Sequence, residues 1–307
     1  MTLVPTYYLP AEMSARFVSR DDPKSLVRRL KRAIAASSLP DFLQTVQQYN
    51  ADLLKLLTST IPSTLPTLLT SPLPLPLVEH ILTQTYARTV SPKVDSLRQY
   101  ENGTDFVYGE LLPRFCQQIF KDTNLKSHHT FVDLGSGVAN VVLQAALQIG
   151  CESWGCEVMP NASTLAAAQL TEFKVRTRLW GLSTGAVHLE AGDFCTNKNI
   201  SEALKKADVI LVNNQAFTPP LNQALLNMFL DLKEGCWIVS LKSFVPKGWR
   251  ITSRNAESVV NLLECEDKEY WGGDVSWSGA PGRYVVSRKT HRMLHEFLAQ
   301  KEKRGRK

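Results

Sequence analysis

The chain has no run of about 18 apolar residues, the length that a helix needs to cross a bilayer, so no membrane span is expected. Its first residues lack a basic segment followed by a long apolar one, so no signal peptide is expected either. The six cysteines are scattered, and no two of them form a Cys-x-x-Cys pair. Reduced core thiols are therefore favoured over a zinc site, and no metal site is predicted.

Net charge is absent from most of the chain. The whole excess of +6 belongs to residues 287–307, which hold eight Lys or Arg and two Glu. Residues 288–307 are predicted as a helix with a basic tail, because apolar residues recur at helical spacing at Met293, Leu294, Phe297 and Leu298. Such a tail on a neutral body favours a polyanionic partner such as DNA, although a solubilising tail is the commoner explanation of a charge run.

Helical periodicity dominates residues 1–96. Helices are predicted over residues 23–37 and 41–58, followed by proline-rich stretches at 61–66 and 71–76 and a further helix at 77–89. These residues are predicted to form a smaller helical N-terminal region with a stiff linker.

From residue 130 onward the pattern alternates between strand and helix. Strands are predicted at residues 130–134, 153–157, 187–191, 209–212, 237–241 and 283–287, with helices between them, for example at 138–149, 162–179 and 221–230. The alternation predicts a Rossmann-like α/β fold, a mostly parallel sheet with helices on both faces, within a domain of residues 97–287. Ligands of such open sheets bind at the carboxyl ends of the strands, so chemistry is expected there.

Residues 130–139 (TFVDLGSGVA) have the pattern of a buried strand, a glycine turn and the start of a helix. Glycines let a backbone approach a ligand, and a helix N-terminus offers free N–H groups. A dinucleotide-binding turn has its third glycine at the position of Asn140, and an S-adenosylmethionine (SAM) turn has it at Ala139. Neither pattern is complete, but Asp133 stands where SAM enzymes carry their acidic residue, which favours SAM.

Three further strand ends carry suitable side chains. Glu157 ends the second strand and can accept two hydrogen bonds from ribose hydroxyls, while Asp193 and Phe194 can bond and pack an adenine ring. Asn213 follows the fourth strand, where many SAM enzymes place a polar residue facing the methyl donor. Any one of these is as readily a solvated or capping residue, but together at successive strand ends they favour a cofactor site.

Several strings occur in a characteristic order: residues 97–100 (LRQY), 105–110 (DFVYGE), 132–138 (VDLGSGV), 141–146 (VVLQAA), 212–214 (VNN) and 275–277 (VSW). Together they resemble the catalytic core of the non-SET histone methyltransferases of the telomeric-silencing-disruptor family, which methylate a lysine on the globular face of histone H3. The resemblance covers about residues 70–290, and the helical N-terminal part is similar to the fungal members.

The resemblance implies a SAM-dependent histone-lysine N-methyltransferase of nucleosomal histone H3, located in the nucleus. It implies that the loop of residues 105–110 closes over SAM. The methionine end would then be held by Tyr108, Glu110, Asp133, Gly135 and Gly137, with Gln144 nearby, the ribose by Glu157, and the adenine by Asp193 and Phe194. The target lysine would enter a channel formed by Asn213, Phe217, Trp277 and Tyr284, although the last two would otherwise be taken as core aromatics.

The chemistry of an apolar channel suits that reaction. A lysine ammonium has a pKa of about 10.4 and must lose a proton before it attacks a sulfonium methyl group. Desolvation by aromatic walls lowers that pKa, and the sulfonium charge acts in the same direction. Asn213 would orient the amine through its side-chain oxygen, and no dedicated general base is predicted.

The implied partner is the nucleosome, contacted through DNA by the basic tail and through the acidic histone surface by Arg250 and Arg254. The resemblance also implies stimulation by ubiquitylated histone H2B, and a monomer is expected. The chain departs from the family at Ala139, usually glycine, at Gln215, usually aromatic, and at Arg283, where a smaller or acidic residue is expected. Two alternatives remain: a catalytically weakened chromatin-binding module, and a SAM-dependent methyltransferase of RNA or small molecules.

Overall fold

The computed structural model describes residues 25–59, 72–98 and 109–305. The chain divides into two compact units, Met1–His80 and Ile81–Lys307. The boundary between the units falls within a helix. The domain boundaries predicted from the sequence lie elsewhere, after residues 96 and 287, where the composition changes. No helix in the described ranges is both long and apolar enough to span a lipid bilayer.

The first unit contains the predicted N-terminal helices. Helix α1 (Leu26–Ala35) begins after Ser25, whose side-chain oxygen accepts a hydrogen bond from the N–H of Arg28 at 3.4 Å. Helix α2 (Leu39–Ser59) packs against α1. Helix α3 (Leu75–Thr89) contains the division between the units.

The second unit is built on a seven-stranded sheet in the order β3-β2-β1-β4-β5-β7-β6. The strands are β1 (Thr130–Leu134), β2 (Glu152–Glu157), β3 (Val187–Ala191), β4 (Val209–Val212), β5 (Trp237–Ser240), β6 (Leu263–Tyr270) and β7 (Gly282–Lys289). Strands β1 to β5 are parallel, and β7 runs antiparallel to both of its neighbours. The predicted Rossmann-like, mostly parallel sheet is confirmed.

Helices connect these strands. They are α4 (Pro113–Asp122), α5 (Asn140–Gln144), α6 (Pro160–Leu179), α7 (Lys198–Lys206), α8 (Pro219–Met228) and α9 (Arg292–Gly305). A π-helical turn (Ala145–Ile149) extends α5, and a 3-10 segment (Ser91–Arg98) follows α3. Three helices begin with proline, whose missing N–H costs nothing at the first helical position. Helix α4 and strand β6 were not predicted, whereas α7 lies in one of the places between strands where a helix was expected.

The core covers both faces of the sheet because successive strand side chains point to opposite sides. On one face Val132, Ile210 and Ile238 pack with the buried residues of α7 and α8. On the other, Phe131 and Val239 pack with α4. Burial on both faces explains why the central strands are continuous apolar runs. It leaves the carboxyl ends of the strands as the place where polar side chains collect.

Candidate functional site

A cavity of about 320 Å³ opens at the carboxyl ends of β1, β2 and β4, a size suited to a small-molecule ligand. Nine predicted site residues line it: Glu110, Asp133, Gly135, Gly137, Glu157, Asp193, Phe194, Asn213 and Phe217. The topology therefore brings together residues that lie more than a hundred positions apart in the chain. Two walls of this cavity are built in different ways.

The glycine-loop wall, formed by Asp133, residues 135–137 and Glu157, uses the turn after β1. Gly135 and Gly137 take left-handed backbone conformations, with φ of 88° and 55°. Because of this path, the N–H of Gly137 donates to Glu157 Oε2 at 2.8 Å, and the N–H of Met159 donates to Glu157 Oε1 at 2.8 Å. Two backbone donors therefore hold the Glu157 carboxylate rigidly at the cavity.

Burial governs the ionisation of the carboxyl groups in this wall. Desolvation, followed by the nearby charge of Glu157, raises the pKa of Asp133 to about 8. Burial also raises the pKa of Glu157, although the N–H groups of Met159 and Gly137 oppose that rise. A cationic ligand would favour the charged form of both groups, so the wall is suited to positive charge.

Beyond β3, a carboxylate and an aromatic ring complete the same side of the cavity. Asp193 Oδ1 accepts the N–H of Cys195 at 2.8 Å, which fixes the turn after the strand. Phe194 is buried, and its ring centroid lies 6.4 Å from that of Phe217. The two rings give a planar ligand an apolar surface beside a polar edge.

The ladder wall consists of residues 109–112 running antiparallel to residues 274–277. The N–H of Ser276 donates to the Glu110 carbonyl at 2.9 Å, and the N–H of Glu110 donates to Ser276 Oγ at 2.8 Å. Leu111 and Val275 form an isolated β-bridge, and the N–H of Leu112 donates to the Asp274 carbonyl at 2.8 Å. These bonds fix a stretch that lines the cavity.

Trp277 lies against this wall and not inside the cavity. A Cβ on Gly109 would stand 2.6 Å from Cε3 of the Trp277 ring, so glycine is required for this approach. Trp277 is 39% exposed, and Gly109 itself lines the cavity. The indole therefore sits on the outer side of the ladder, at the edge of the cavity.

Asn213, at the end of β4, joins the ladder wall to the cavity. Its Nδ2 donates to the Gly109 carbonyl at 3.2 Å. A carbonyl only accepts, so this bond determines which side of the amide faces Gly109. Asn213 Oδ1 is buried and has no hydrogen-bond partner among the described residues. An unpartnered buried acceptor is rare, and here it belongs to a cavity-lining residue.

Glu110 has a second anchor, which the sequence analysis did not predict. The hydroxyl of Tyr86 on α3 donates to Glu110 Oε1 at 3.2 Å. Burial, followed by the charge of this carboxylate, raises the pKa of Tyr86. Tyr86 precedes Glu110 by 24 positions and belongs to no motif that would signal the contact.

Gln144 does not line the cavity. It is buried, and its Nε2 donates to the Pro113 carbonyl at 2.8 Å and to Gln148 Oε1 at 2.9 Å. Since Pro113 begins α4 directly after the ladder wall, Gln144 supports that wall from behind. Tyr108 lies outside the described residues.

Tyr284 is placed away from the predicted channel. Its ring is fully buried in the core on the α4 face of the sheet, 5.0 Å from the ring of Phe115. Its hydroxyl donates to Asp122 Oδ2 and accepts from Gln118 Nε2. Tyr284 stands on β7, at a position that faces α4, so it is corrected here from a channel residue to a core residue.

The departures at Ala139 and Gln215 also lie outside the cavity lining. Ala139 does adopt a left-handed conformation, with φ of 71°, and is fully buried at the start of α5. Gln215 is exposed in the turn after β4. Ala139 therefore carries backbone strain, while neither side chain narrows the cavity.

No group of three or more His, Cys, Asp or Glu that could hold a metal ion occurs within residues 25–59, 72–98 and 109–305. The six cysteines are free thiols.

The family described as "Histone methylation protein DOT1" matches residues 86–289. A "Histone-lysine N-methyltransferase, H3 lysine-79 specific" from Emericella nidulans is 55% identical over 291 residues, covering 94% of this chain and 57% of the relative. One of the same name from Aspergillus fumigatus is 54% identical over 301 residues, covering 98% and 59%.

The chain thus spans less than two thirds of the length of these relatives. A solved structure of a putative O-methyltransferase from Klebsiella pneumoniae is 14% identical, with a TM-score of 0.41, over 70% of this chain and 90% of that one. The family match covers both walls of the cavity, including Tyr86, Asn213 and residues 274–277. The chain therefore belongs to the DOT1 family of histone methylation proteins.

Proposed function

We propose that this chain is the catalytic region of a SAM-dependent histone-lysine N-methyltransferase that acts on lysine-79 of histone H3 within the nucleosome. The names of its fungal relatives support the substrate. The observation that carries the reaction is the buried, unpartnered Oδ1 of Asn213 in the cavity wall. An acceptor held in that way is suited to a donor that arrives with the substrate.

The residues of the cavity fit SAM. Glu157 would hold the ribose, since its carboxylate lines the cavity and is fixed there by backbone N–H groups, among them those of Gly137 and Met159. Asp193 and Phe194 would hold the adenine edge and face. Asp133, Glu110 and the glycine turn would hold the methionine end. The pKa of Asp133 is raised by burial, and the positive charge of bound SAM would lower it and favour the carboxylate. Tyr108 remains a predicted contact of the same end.

When bound, SAM supplies a methyl group on a positively charged sulfur. The protein has to present a neutral lysine amine to that methyl group. The apolar side chains of Phe217, Leu211 and Leu221 line the cavity and would desolvate the amine, which lowers its pKa from about 10.4.

Asn213 Oδ1 would then accept one N–H of the amine and leave its lone pair free. Fixing that orientation contributes catalysis by removing rotational freedom before reaction. Trp277, at the edge of the cavity, would border the opening of the channel. Tyr284 is left out of the proposed channel because of its place in the core.

The alternative of a weakened chromatin-binding module rests on Ala139 and Gln215. Neither side chain is among the cavity-lining residues, and the predicted SAM-contacting residues of that lining are all of the expected types. The second alternative, methylation of RNA or a small molecule, would suit the same cofactor residues. A methyltransferase of nucleosomal histone is favoured, because the two fungal relatives are 55% and 54% identical in sequence to this chain over 94% and 98% of its length.

Docking on a nucleosome would use surfaces outside the cavity. Helix α9 ends in exposed basic residues, among them Lys301 and Lys303, and would contact DNA. Arg250 and Arg254 are exposed in the loop after β5 and would reach the acidic histone surface. A nuclear location, a monomeric state and stimulation by ubiquitylated histone H2B belong to the same proposal.

The test is transfer of labelled methyl from SAM to three substrates in parallel: intact nucleosomes, free histone H3 and total RNA. The proposal expects label in histone H3 of nucleosomes, mapped to lysine-79, and little label in the other two. Label in RNA would favour the second alternative, and equal label in free histone would contradict the requirement for an intact nucleosome. Nucleosome binding without SAM binding or label would favour the weakened module.

A further inference from the structure

An ion pair outside the cavity ties down the ladder wall. Arg114, in the first turn of α4, donates from Nε to Asp274 Oδ1 at 2.7 Å and from an Nη group to the Gly272 carbonyl at 3.1 Å. The other oxygen of Asp274 accepts the N–H of Trp271 at 2.8 Å. One carboxylate thus closes the turn after β6 and attaches it to the helix that follows residues 109–112.

The burial of this pair is uneven. The side chain of Asp274 is 1% exposed, while that of Arg114 is 55% exposed. A buried carboxylate is tolerated only when it is paired and its lone pairs are used, and Asp274 satisfies both conditions. The pair is therefore a specific structural device, unlike the exposed ion pairs elsewhere on the surface, which contribute little.

The Arg114–Asp274 ion pair is connected to the cavity through the backbone of the ladder wall. Asp274 accepts the N–H of Leu112 through its carbonyl, and its neighbours Val275 and Ser276 pair with Leu111 and Glu110. That pairing places Gly109, whose carbonyl accepts from Asn213 Nδ2. The orientation of the Asn213 amide therefore depends on a chain of contacts that starts at the ion pair.

Glu110 is held in another way as well, through the hydroxyl of Tyr86. Loosening the ladder should therefore affect Asn213 and the lysine side of the cavity more than the SAM side, where the glycine-loop wall makes no contact with this pair. We propose that Arg114 and Asp274 are a positioning pair that aims the Asn213 oxygen at the lysine amine; the catalytic part of this inference rests on the function proposed above.

The experiment compares Asp274→Asn, Arg114→Ala and Arg114→Lys with the full chain. Hydrogen exchange comes first because it is independent of activity. Faster exchange is expected at the amides of Glu110, Leu112 and Ser276 in the first two variants, with the amides of α8 unchanged. Unchanged exchange at these three amides in folded variants would overturn the positioning role, even if the chain proved inactive on nucleosomes.

Kinetics on nucleosomes then test the consequence. The kcat of Asp274→Asn and Arg114→Ala should fall about tenfold, because a small misplacement of an orienting group is costly. The dissociation constant of SAM should change less than about threefold, since that side is anchored separately. Arg114→Lys keeps the charge but loses the forked geometry, so it should recover part of kcat.

A matched control is Arg283→Ala, which breaks the exposed Arg283–Glu269 pair at the base of the same loop, where β6 pairs with β7. It should leave both exchange and kcat unchanged. A parallel fall in kcat and SAM affinity would show a general loss of structure and overturn the inference. If Arg114→Ala does not fold, Arg114→Lys and Asp274→Asn still decide it. Wild-type protein inactive on nucleosomes would count against the proposed function alone.

Discussion

The glycine-loop wall and the ladder wall of the cavity draw on very different stretches of the chain. The glycine-loop wall comes from two consecutive strand ends, and its key contact joins residues 20 positions apart, Gly137 and Glu157. The ladder wall joins Glu110 and Ser276, which are 166 positions apart. The glycine-loop wall is formed by a local β–loop–α pattern. The ladder wall forms only when two segments far apart in the chain come together in the folded domain.

This difference separates two tasks. The glycine-loop wall offers carboxylates and backbone donors, which would hold a cofactor that is always the same. The ladder wall contributes the Glu110 side chain to the cofactor end, and its Gly109 carbonyl fixes Asn213, whose one oriented acceptor would hold a side chain delivered by a protein. Variants at Glu157 and at Asn213 should therefore damage different steps of one reaction.

The largest effect on cofactor binding is expected at Glu157. Glu157→Ala removes the proposed ribose contacts and releases the N–H groups of Gly137 and Met159, so SAM affinity should fall about tenfold or more, near 1.4 kcal/mol or above. Calorimetric titration of SAM measures it. Glu190→Ala, on the neighbouring β3 and outside the cavity lining, is the matched control. Equal SAM affinity of Glu157→Ala and wild type would contradict the assignment of this wall.

A variant that touches neither wall sharpens the comparison. Arg250→Ala combined with Arg254→Ala should weaken nucleosome methylation several-fold, since exposed charges contribute about 1 kcal/mol or less each. SAM affinity should stay the same because both residues lie outside the cavity. Rates at low and high salt measure the effect, which should shrink as salt screens the contact. Unchanged rates at low salt would remove these arginines from the docking surface.

The raised pKa of Asp133 gives a pH dependence confined to the glycine-loop wall. Its folded pKa, about 8, lies above its ordinary 3.8, so between these values the folded state binds more protons than the unfolded state. The stability that this group contributes is therefore complete below about pH 4 and is lost as pH rises through about 8.

Accordingly, Asp133→Asn should flatten the fall in thermal midpoint of the cofactor-free protein between about pH 4 and pH 8, and should raise that midpoint above pH 8 by about 4 °C. Thermal scans across this pH range measure it. Asp231→Asn, which removes one exposed carboxylate, controls for net charge. An identical pH profile in Asp133→Asn and wild type would contradict the buried, proton-binding state of Asp133.

The smallest effect is expected at Ala139, beside the glycine-loop wall. Ala139→Gly relieves a left-handed conformation that costs an L-residue ~1 kcal/mol or more, so the thermal midpoint should rise by about 2 °C. Ala168→Gly, at an exposed position inside α6, should lower it, because glycine costs about 1 kcal/mol in a helix interior. A lower midpoint for Ala139→Gly would show that its methyl group contributes more by packing than it costs in strain.

The same contrast explains what the sequence could predict. The parallel strands were predicted within a residue or two. For β1, β4 and β5 the reason is that burial on both faces leaves mostly apolar runs. Strand β6 was not predicted because it is an edge strand rich in acidic residues, among them Glu264, Glu266 and Glu269, and such a polar sequence is typical of a loop.

Site residues follow the same rule. Asp133, Glu157 and Asp193 could be found because each lies at or just after the carboxyl end of its own strand, and strand ends converge in an open sheet. Tyr86 and Asp274 could not, since neither belongs to a motif and each acts through a distant partner. Tyr284 was misassigned because sequence alone does not give the direction in which a β7 side chain points, and in the structure it faces Phe115 and not the cavity.

The most direct test of the separation between the walls is one measurement on Asn213→Ala, the single-turnover rate of methyl transfer to nucleosomes at saturating SAM. The rate should fall about 100-fold while the variant still binds SAM within about threefold of wild type, because the lost oxygen orients the amine and not the cofactor. An unchanged rate would contradict the role of the unpartnered oxygen. A rate loss matched by an equal loss of SAM affinity would contradict the division of the cavity into two walls.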